Sequence, residues 1–425
     1  MAAGVLIMFG TVLGLRLYQR YERAKEADRL FAAGQFKAAH AIYLELEDEE
    51  GAQACVEGYR ASLYHEAEGL VRAGNFEAAE AILNALGPYG ESDALLRDCD
   101  YLRAGALAEK GETLAARELY LTLGDYPGCA EQLAALTPAL YDEAKELARN
   151  FRLAEACELW KNLTDYKDSA KLLVRAERAL SQLADKSRVK LNDPSRRSDK
   201  LRDADVYICD DAYILFPEKP NKDTRFFLYF PGGRDEEINL DFLFGYMANP
   251  APNTLAIFLR RNHVPDMDAS CERALRLLDA AAADCGLFPE TLVVAGSSLG
   301  AYPALQCPRI AVKSALRVSA VLSLDAGNAW NESDLVPRRA QCEALAKTGA
   351  QFYLFQPVWE DMDYDPVRLL VETGNWVMLV GCLRDDHELI TYDAMGMGVI
   401  DWALTDPTAP CPAEIYSFRR LRMDS

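Results

Sequence analysis

Histidine is the scarcest chemistry-bearing residue in this sequence, with four in 425 positions. A mechanism that needs an imidazole has very few residues to draw on. Paired cysteines are missing as well. The 11 cysteines lie singly, with no CxxC and no Cys/His zinc spacing, which excludes a zinc module and does not fit a disulfide framework. Buried thiols in a reducing compartment account for them. Positive charge is in deficit: 66 acidic residues against 46 basic ones give a formal charge of -20. Such a field repels phosphate backbones, so nucleic acid is not an expected partner. No P-loop or GxGxxG fingerprint occurs, and neither a cofactor nor a metal is expected. What remains is ordinary globular material, 50% hydrophobic and 26% charged, in a chain long enough for two or three domains.

A long apolar run stands at the amino terminus, where Ala2 to Leu15 ("AAGVLIMFGTVLGL") are 14 uncharged residues. As a helix they rise about 21 Å, short of a hydrocarbon core of roughly 30 Å. Snorkelling by Arg16, with Leu17 and Tyr18 at the interface, brings the reach to a marginal span. Arg16, Arg20, Arg23 and Lys25 follow the run, the reverse of a secretory signal. The expectation is a membrane-anchor helix over residues 1–20, with the amino terminus outside and the bulk of the protein cytoplasmic.

Four stretches then share a pattern: "ADRLFAAGQFKAAHAIY", "AEGLVRAGNFEAAEAIL", "AGALAEKGETLAARELY" and "AKELARNFRLAEACELW". They begin at Ala27, Ala67, Ala104 and Ala144, at spacings of 40, 37 and 40. Each copy splits into two amphipathic helices around Gly34, Gly74, Gly111 or Asn150, residue types suited to a left-handed helix end. Ala39, Ala79, Ala116 and Ala156 let the second helix approach the first. One helix pair cannot bury its own apolar stripe, so the period predicts a solenoid over residues 21–184. The copies resemble tetratricopeptide repeats, lengthened by "LGDYPGC" and "LTDYKDS". That resemblance implies a protein or peptide partner on the concave face; a stiff spacer is the competing reading. Residues 185–204 read as a solvated linker, their basic residues diluted by Asp185, Asp193, Asp199 and Asp203.

From Val206 the period changes. Short apolar runs ("YILF", "RFFLYF", "TLAIFL", "TLVVAG", "AVLSL", "QFYLF", "WVMLVG") alternate with helical stretches such as "CERALRLLDAAAADC" and "AQCEALAKT". Such alternation predicts a mostly parallel sheet with helices on both faces. "TLVVAG" runs directly into "SSLGAYPALQC", which puts Gly296, Ser298 and Gly300 at a strand-to-helix turn in the pattern G-x-S-x-G. A nucleophilic serine needs a sharp turn with strained dihedrals, and small neighbours two residues away keep clear of the adjacent strand and helix. A helix start also aims backbone N–H groups at developing negative charge.

These features resemble the α/β-hydrolase superfamily, and the resemblance implies a Ser-His-Asp triad with Ser298 as nucleophile. Of the histidines, His40 and His65 belong to the repeats and His263 precedes the elbow, near the expected pocket mouth. The family's base sits on the loop after the last strand, which here is "CLRDDHELI", so His387 is the expected base. The acid is expected after "QFYLF", at Asp361 or Asp363, with Asp325 a less usual position. Leu299 is expected to give one oxyanion N–H and the "PGGRD" loop the other, from Gly232, Gly233 or Arg234. The esterase loop commonly begins with histidine, where this sequence has Pro231. "LYFPGGRDEEINLDFLFGYM" and "GSSLGAYPAL…LSLDAGN" are further similar to the carbohydrate O-acetyltransferases of accessory secretion systems, which would put Asp325, Asn328 and Trp330 in the acyl or sugar pocket.

The expected fold class is therefore a multidomain α plus α/β chain, a helical-repeat solenoid followed by an α/β-hydrolase sheet over residues 205–425. The expected function is that of a serine acyl hydrolase, esterase-like, acting on a small-molecule or glycan ester through an acyl-enzyme. An O-acyltransferase acting on a carbohydrate or peptide is one alternative. A non-catalytic repeat scaffold carrying a degenerate hydrolase domain is the other.

Overall fold

The computed structural model describes residues 2–198, 205–209, 212–232, 236–260, 266–324, 338–357, 365–382, 396–407, 409, 411–412 and 416–420. The chain forms two compact units, Met1–Leu140 and Tyr141–Ser425. The division falls inside helix α7 (Cys129–Arg149), just past Pro138, a residue that removes one helical hydrogen bond.

The first unit is helical: α1 (Ala2–Ala32), α2 (Phe36–Glu45), α3 (Glu49–Arg72), α4 (Phe76–Leu86), α5 (Ser92–Glu109), α6 (Thr113–Leu123) and the start of α7. Each of α1 to α5 packs on the helix that follows it. Ala27, Ala39, Ala67, Ala79, Ala104 and Ala116 have no exposed surface, because a lone methyl is what two closely approaching backbones can accommodate. Gly34, Gly74 and Gly111 take φ of 74°, 76° and 83° and end the first helix of each pair. A second recurring device has the same period. Arg20, Arg60 and Arg97 donate to the carbonyls of Leu46, Leu86 and Leu123, at the ends of α2, α4 and α6. A guanidinium there satisfies orphan carbonyls and complements the negative end of the helix dipole.

The expected membrane anchor is overturned. Among the described residues no helix is long and apolar enough to cross a membrane. The apolar run is part of one 31-residue helix that continues through Arg16, Arg20, Arg23 and Lys25 to the buried Ala27. Its charged half makes surface contacts with the next helix: Arg20 donates to the Leu46 carbonyl, and Arg23 pairs with Glu45 at 2.7 Å. The transmembrane reading, and the orientation built on it, fall together.

The second unit holds the rest of α7, α8 (Leu153–Lys161), α9 (Ser169–Ala184) and a nine-stranded sheet. Its strands are β1 (Val206–Cys209), β2 (Ala212–Leu215), β3 (Arg225–Phe230), β4 (Thr254–Leu259), β5 (Thr291–Ser297), β6 (Arg317–Leu324), β7 (Gln351–Pro357), β8 (Trp376–Cys382) and β9 (Tyr416–Arg420). The order is β1-β2-β4-β3-β5-β6-β7-β8-β9. The six strands from β4 to β8 in that order are parallel; β1, β2 and β9 pair antiparallel. Helices α11 (Met267–Asp284), α12 (Ala301–Ala311), α13 (Arg339–Ala346) and α14 (Asp365–Glu372) cover one face. The other face carries α10 (Glu236–Ala248) and α15 (Val399–Thr405). Burial on both faces explains why the central strands read as unbroken apolar runs.

The last helix pair is built into this unit. Arg175 of α9, 3% exposed, bonds both carboxylate oxygens of Asp279 (2.9 and 3.2 Å) and the carbonyl of Pro289, and stacks 4.3 Å from the Phe288 ring centroid. Arg149 grips Glu290 with two 3.0 Å bonds. In this copy the left-handed position is Phe151 (φ 56°) rather than Asn150, whose side chain bonds the Glu146 carbonyl at 2.8 Å. A bulky residue in that region is strained by roughly 1–2 kcal/mol. Phe151 lies beside Gly286, so the ring serves docking where glycine serves the other copies. Within the segment read as a solvated linker, the stretch from Arg188 to Asn192 contacts the end of α11. Arg188 and the Leu191 N–H both bond the buried Asp284 carboxylate, and Leu191 joins the core.

Candidate active site

Strand β5 ends at Ser297, Ser298–Gly300 form a single 3-10 turn, and α12 begins at Ala301. Ser298 has φ 48°, left-handed for a residue with a side chain. Such a conformation costs on the order of 1–3 kcal/mol and persists only where its surroundings over-determine it. Here they do. A Cβ on Gly296 would overlap the Gly300 carbonyl, and one on Gly300 would overlap the carbonyls of Phe230 and Pro231. A Cβ on Gly232 would lie 2.6 Å from the Ser297 carbonyl oxygen and 2.7 Å from Ser298 Cβ. Glycine is thus required on both sides of the serine, and the backbone leaving β3 lies directly against it. Ser298 and Leu299 are half-buried, while Gly232 and Gly300 are buried. Leu299 stands in the first turn after the serine, where helical N–H groups have no acceptor within the helix.

The register aligns Ser297 with Leu324, Leu324 with Phe355, and Phe355 with Val380. The carboxyl ends of β5 to β8 therefore share one edge of the sheet, with Ser298 on it. Of the residues expected in the site, the structure brings together Ser298, Leu299 and Gly232. Gly233, Arg234, His263, Asp325, Asn328, Trp330, Asp361, Asp363 and His387 lie outside the described residues. Two cavities, of about 280 and 1010 Å³, have the amino ends of β3 and β5, or of β4, in their walls, away from Ser298. Among the described residues no group of His, Cys, Asp and Glu is placed to hold a metal ion.

One pair was not foreseen. Tyr229 is fully buried, with its ring against Phe242 and Phe258 and its hydroxyl 2.6 Å from Ser297 Oγ. Burial raises its phenol pKa strongly, with the Ser297 bond a smaller opposing effect, so the phenol is neutral. The available signal was a lone hydroxyl in a strand that after Arg225 is otherwise Phe and Leu. It points to no function until the register shows what it faces.

A serine on a strained strand-to-helix turn, at the carboxyl edge of a mostly parallel sheet with helices on both faces, makes this domain an α/β-hydrolase in architecture. No protein-family model and no curated protein matches the chain. Among solved structures it is similar to a 2,6-dihydroxy-pseudo-oxynicotine hydrolase, at 13% identity over 84% of this chain and 89% of that one, with a TM-score of 0.33. It is also similar to an esterase from Rhizomucor miehei (15% identity, 44% and 76% covered, TM-score 0.32). A third is the dienelactone hydrolase from Anabaena variabilis (12% identity, 42% of this chain and 81% of that one, TM-score 0.26). At such scores the chain's own sheet order and elbow, not these likenesses, define the fold.

Proposed function

We propose that this protein is a serine-dependent acyl hydrolase acting on carboxylic esters. The observation that carries the reading is Ser298, held at φ 48° on the elbow with the backbone of Gly232 packed against it. In this mechanism Ser298 Oγ attacks the ester carbonyl as His387 takes its proton, and Asp361 or Asp363 orients the imidazole and stabilises its charge. The oxyanion is held by the Leu299 N–H and a second N–H from the loop at Gly232 and Gly233. Collapse expels the alcohol, protonated by His387, and leaves an acyl-enzyme that water hydrolyses by the same steps. The helix pairs, in turn, hold a protein or peptide partner. Labelling with a fluorophosphonate probe tests the chemistry. Labelling is expected in the wild type, absent in Ser298→Ala and sharply reduced in His387→Ala. Undiminished labelling of Ser298→Ala sinks the nucleophile assignment.

A further inference from the structure

Strand β3 delivers the loop at Gly232, and β5 delivers Ser298. These are the two parts whose relative position decides whether an attacked carbonyl finds its donors. The strands are parallel neighbours, with Tyr229 opposite Ala295 and Phe230 opposite Gly296. Their backbone ladder fixes the strand bodies but ends where the two functional turns begin. Among the described residues, one side-chain bond reaches from the last rungs of that ladder to the serine's turn, Tyr229 Oη to Ser297 Oγ at 2.6 Å. Ser297 immediately precedes the serine and is 2% exposed; Tyr229 is separated from Gly232 only by Phe230 and Pro231.

We propose that Tyr229 and Ser297 are positioning residues, whose hydroxyl bond ties the nucleophile's turn to the oxyanion loop. The inference rests on the acyl-hydrolase reading above. The surroundings suit the role. Tyr229 has no exposed surface, and its ring is held at 6.0 Å from Phe242 and 5.4 Å from Phe258, centroid to centroid, so the hydroxyl has a fixed place to offer. A short bond between two buried hydroxyls is also stronger for its dry setting. Neither hydroxyl touches substrate in this reading. Both act through the placement of Ser298 Oγ and the loop donors, where a 1 Å error lowers a rate about 100-fold.

The test measures both the rate and the final stoichiometry of fluorophosphonate labelling in the full chain. The proteins compared are the wild type, Tyr229→Phe, Ser297→Ala, the double variant and Ser298→Ala. The expected result is a labelling rate about tenfold lower in each single variant, with full final stoichiometry, and a double variant no slower than either single one. A structural role would instead lower the fraction of protein that can be labelled and leave the rate of the remainder unchanged; that outcome overturns the proposal. Wild-type rates in Tyr229→Phe, or multiplicative losses in the double variant, overturn it too. If the wild type fails to label, or Ser298→Ala labels equally, the hydrolase reading itself fails, a result distinct from a silent Tyr229→Phe.

Discussion

Replacing Arg175 should unfasten the last helix pair from the hydrolase sheet, and the structure sets the size of the effect. The guanidinium is 1% exposed and the Asp279 side chain 14%. It meets both carboxylate oxygens and the carbonyls of Pro289 and Ser314, and covers the Phe288 ring. Arg175→Ala leaves a mostly buried carboxylate without its counter-charge and two carbonyls short of a donor. Breaking a buried pair from one side costs 3–5 kcal/mol, and the slight exposure of Asp279 puts this case near 3, roughly. Against a total stability on the order of 5–15 kcal/mol, that is a large fraction. With a urea m-value of about 3 kcal/mol/M, the unfolding midpoint of the second unit should fall by roughly 1 M. Trp160, wholly buried with its ring 6.1 Å from Phe288, adds a junction signal to a tryptophan fluorescence that four other tryptophans share. Arg175→Met with Asp279→Leu should regain most of the loss, since an apolar pair of similar volume needs no counter-charge. A midpoint unchanged in Arg175→Ala, or a double variant weaker than the single one, would refute this account of the junction.

Two further outcomes follow from the geometry of the elbow and of the helix pairs. Gly232→Ala puts a methyl within 2.7 Å of Ser298 Cβ, so the loop or the elbow must yield by several tenths of an ångström. Its fluorophosphonate labelling rate should fall about 100-fold, and a wild-type rate would show that the loop is not part of the site. In the first unit the Tyr43 and Tyr126 phenols are pushed up to about 12, chiefly by hydrogen bonds to the Asp28 and Asp98 carboxylates and then by burial. The unfolded chain releases these protons near pH 10, so their stabilising contribution is whole below that and is lost as pH rises towards 12. Urea midpoints at pH 9 and about 11.5 should differ less in Tyr43→Phe/Tyr126→Phe than in the wild type; equal alkaline losses would count against the two bonds.

Much of this was legible because local pattern and global fold agree. Strands β3 and β4 match the runs "RFFLYF" and "TLAIFL" residue for residue, and the alanines at the paired small positions are fully buried. What was hidden depends on residues far apart in sequence. The periodic arginines at 20, 60 and 97 stand seven positions before the first alanine of the first three copies, but their carbonyl partners appear only once the helices pair. Asn150 satisfied a composition rule for a left-handed position that Phe151 occupies, because packing on Gly286 outweighs a local backbone preference. The amino-terminal run was read by its apolar content, while the helix it belongs to is defined by the charged turns that follow.

The junction gives the acidic composition a second meaning. The helical side supplies the cations Lys145, Arg149, Arg175 and Arg188; the sheet side supplies the carboxylates Glu290, Asp279 and Asp284. In a chain with 20 more acidic than basic residues, this polarity sorts scarce positive charge to one side of one contact. Two cations of α9 also reach backbone carbonyls. Lys171 Nζ donates to the Val312 carbonyl at 2.9 Å, and Arg175 reaches Ser314, both in the turn that ends α12. Cations there complement the negative end of the helix dipole and satisfy carbonyls that the helix leaves free. The helix so held is the one that begins beside Ser298. The pair α8–α9 is therefore part of the framework that supports the turn at Ser298, and a fragment starting at residue 205 would lack the groups that hold the far end of the helix that follows it.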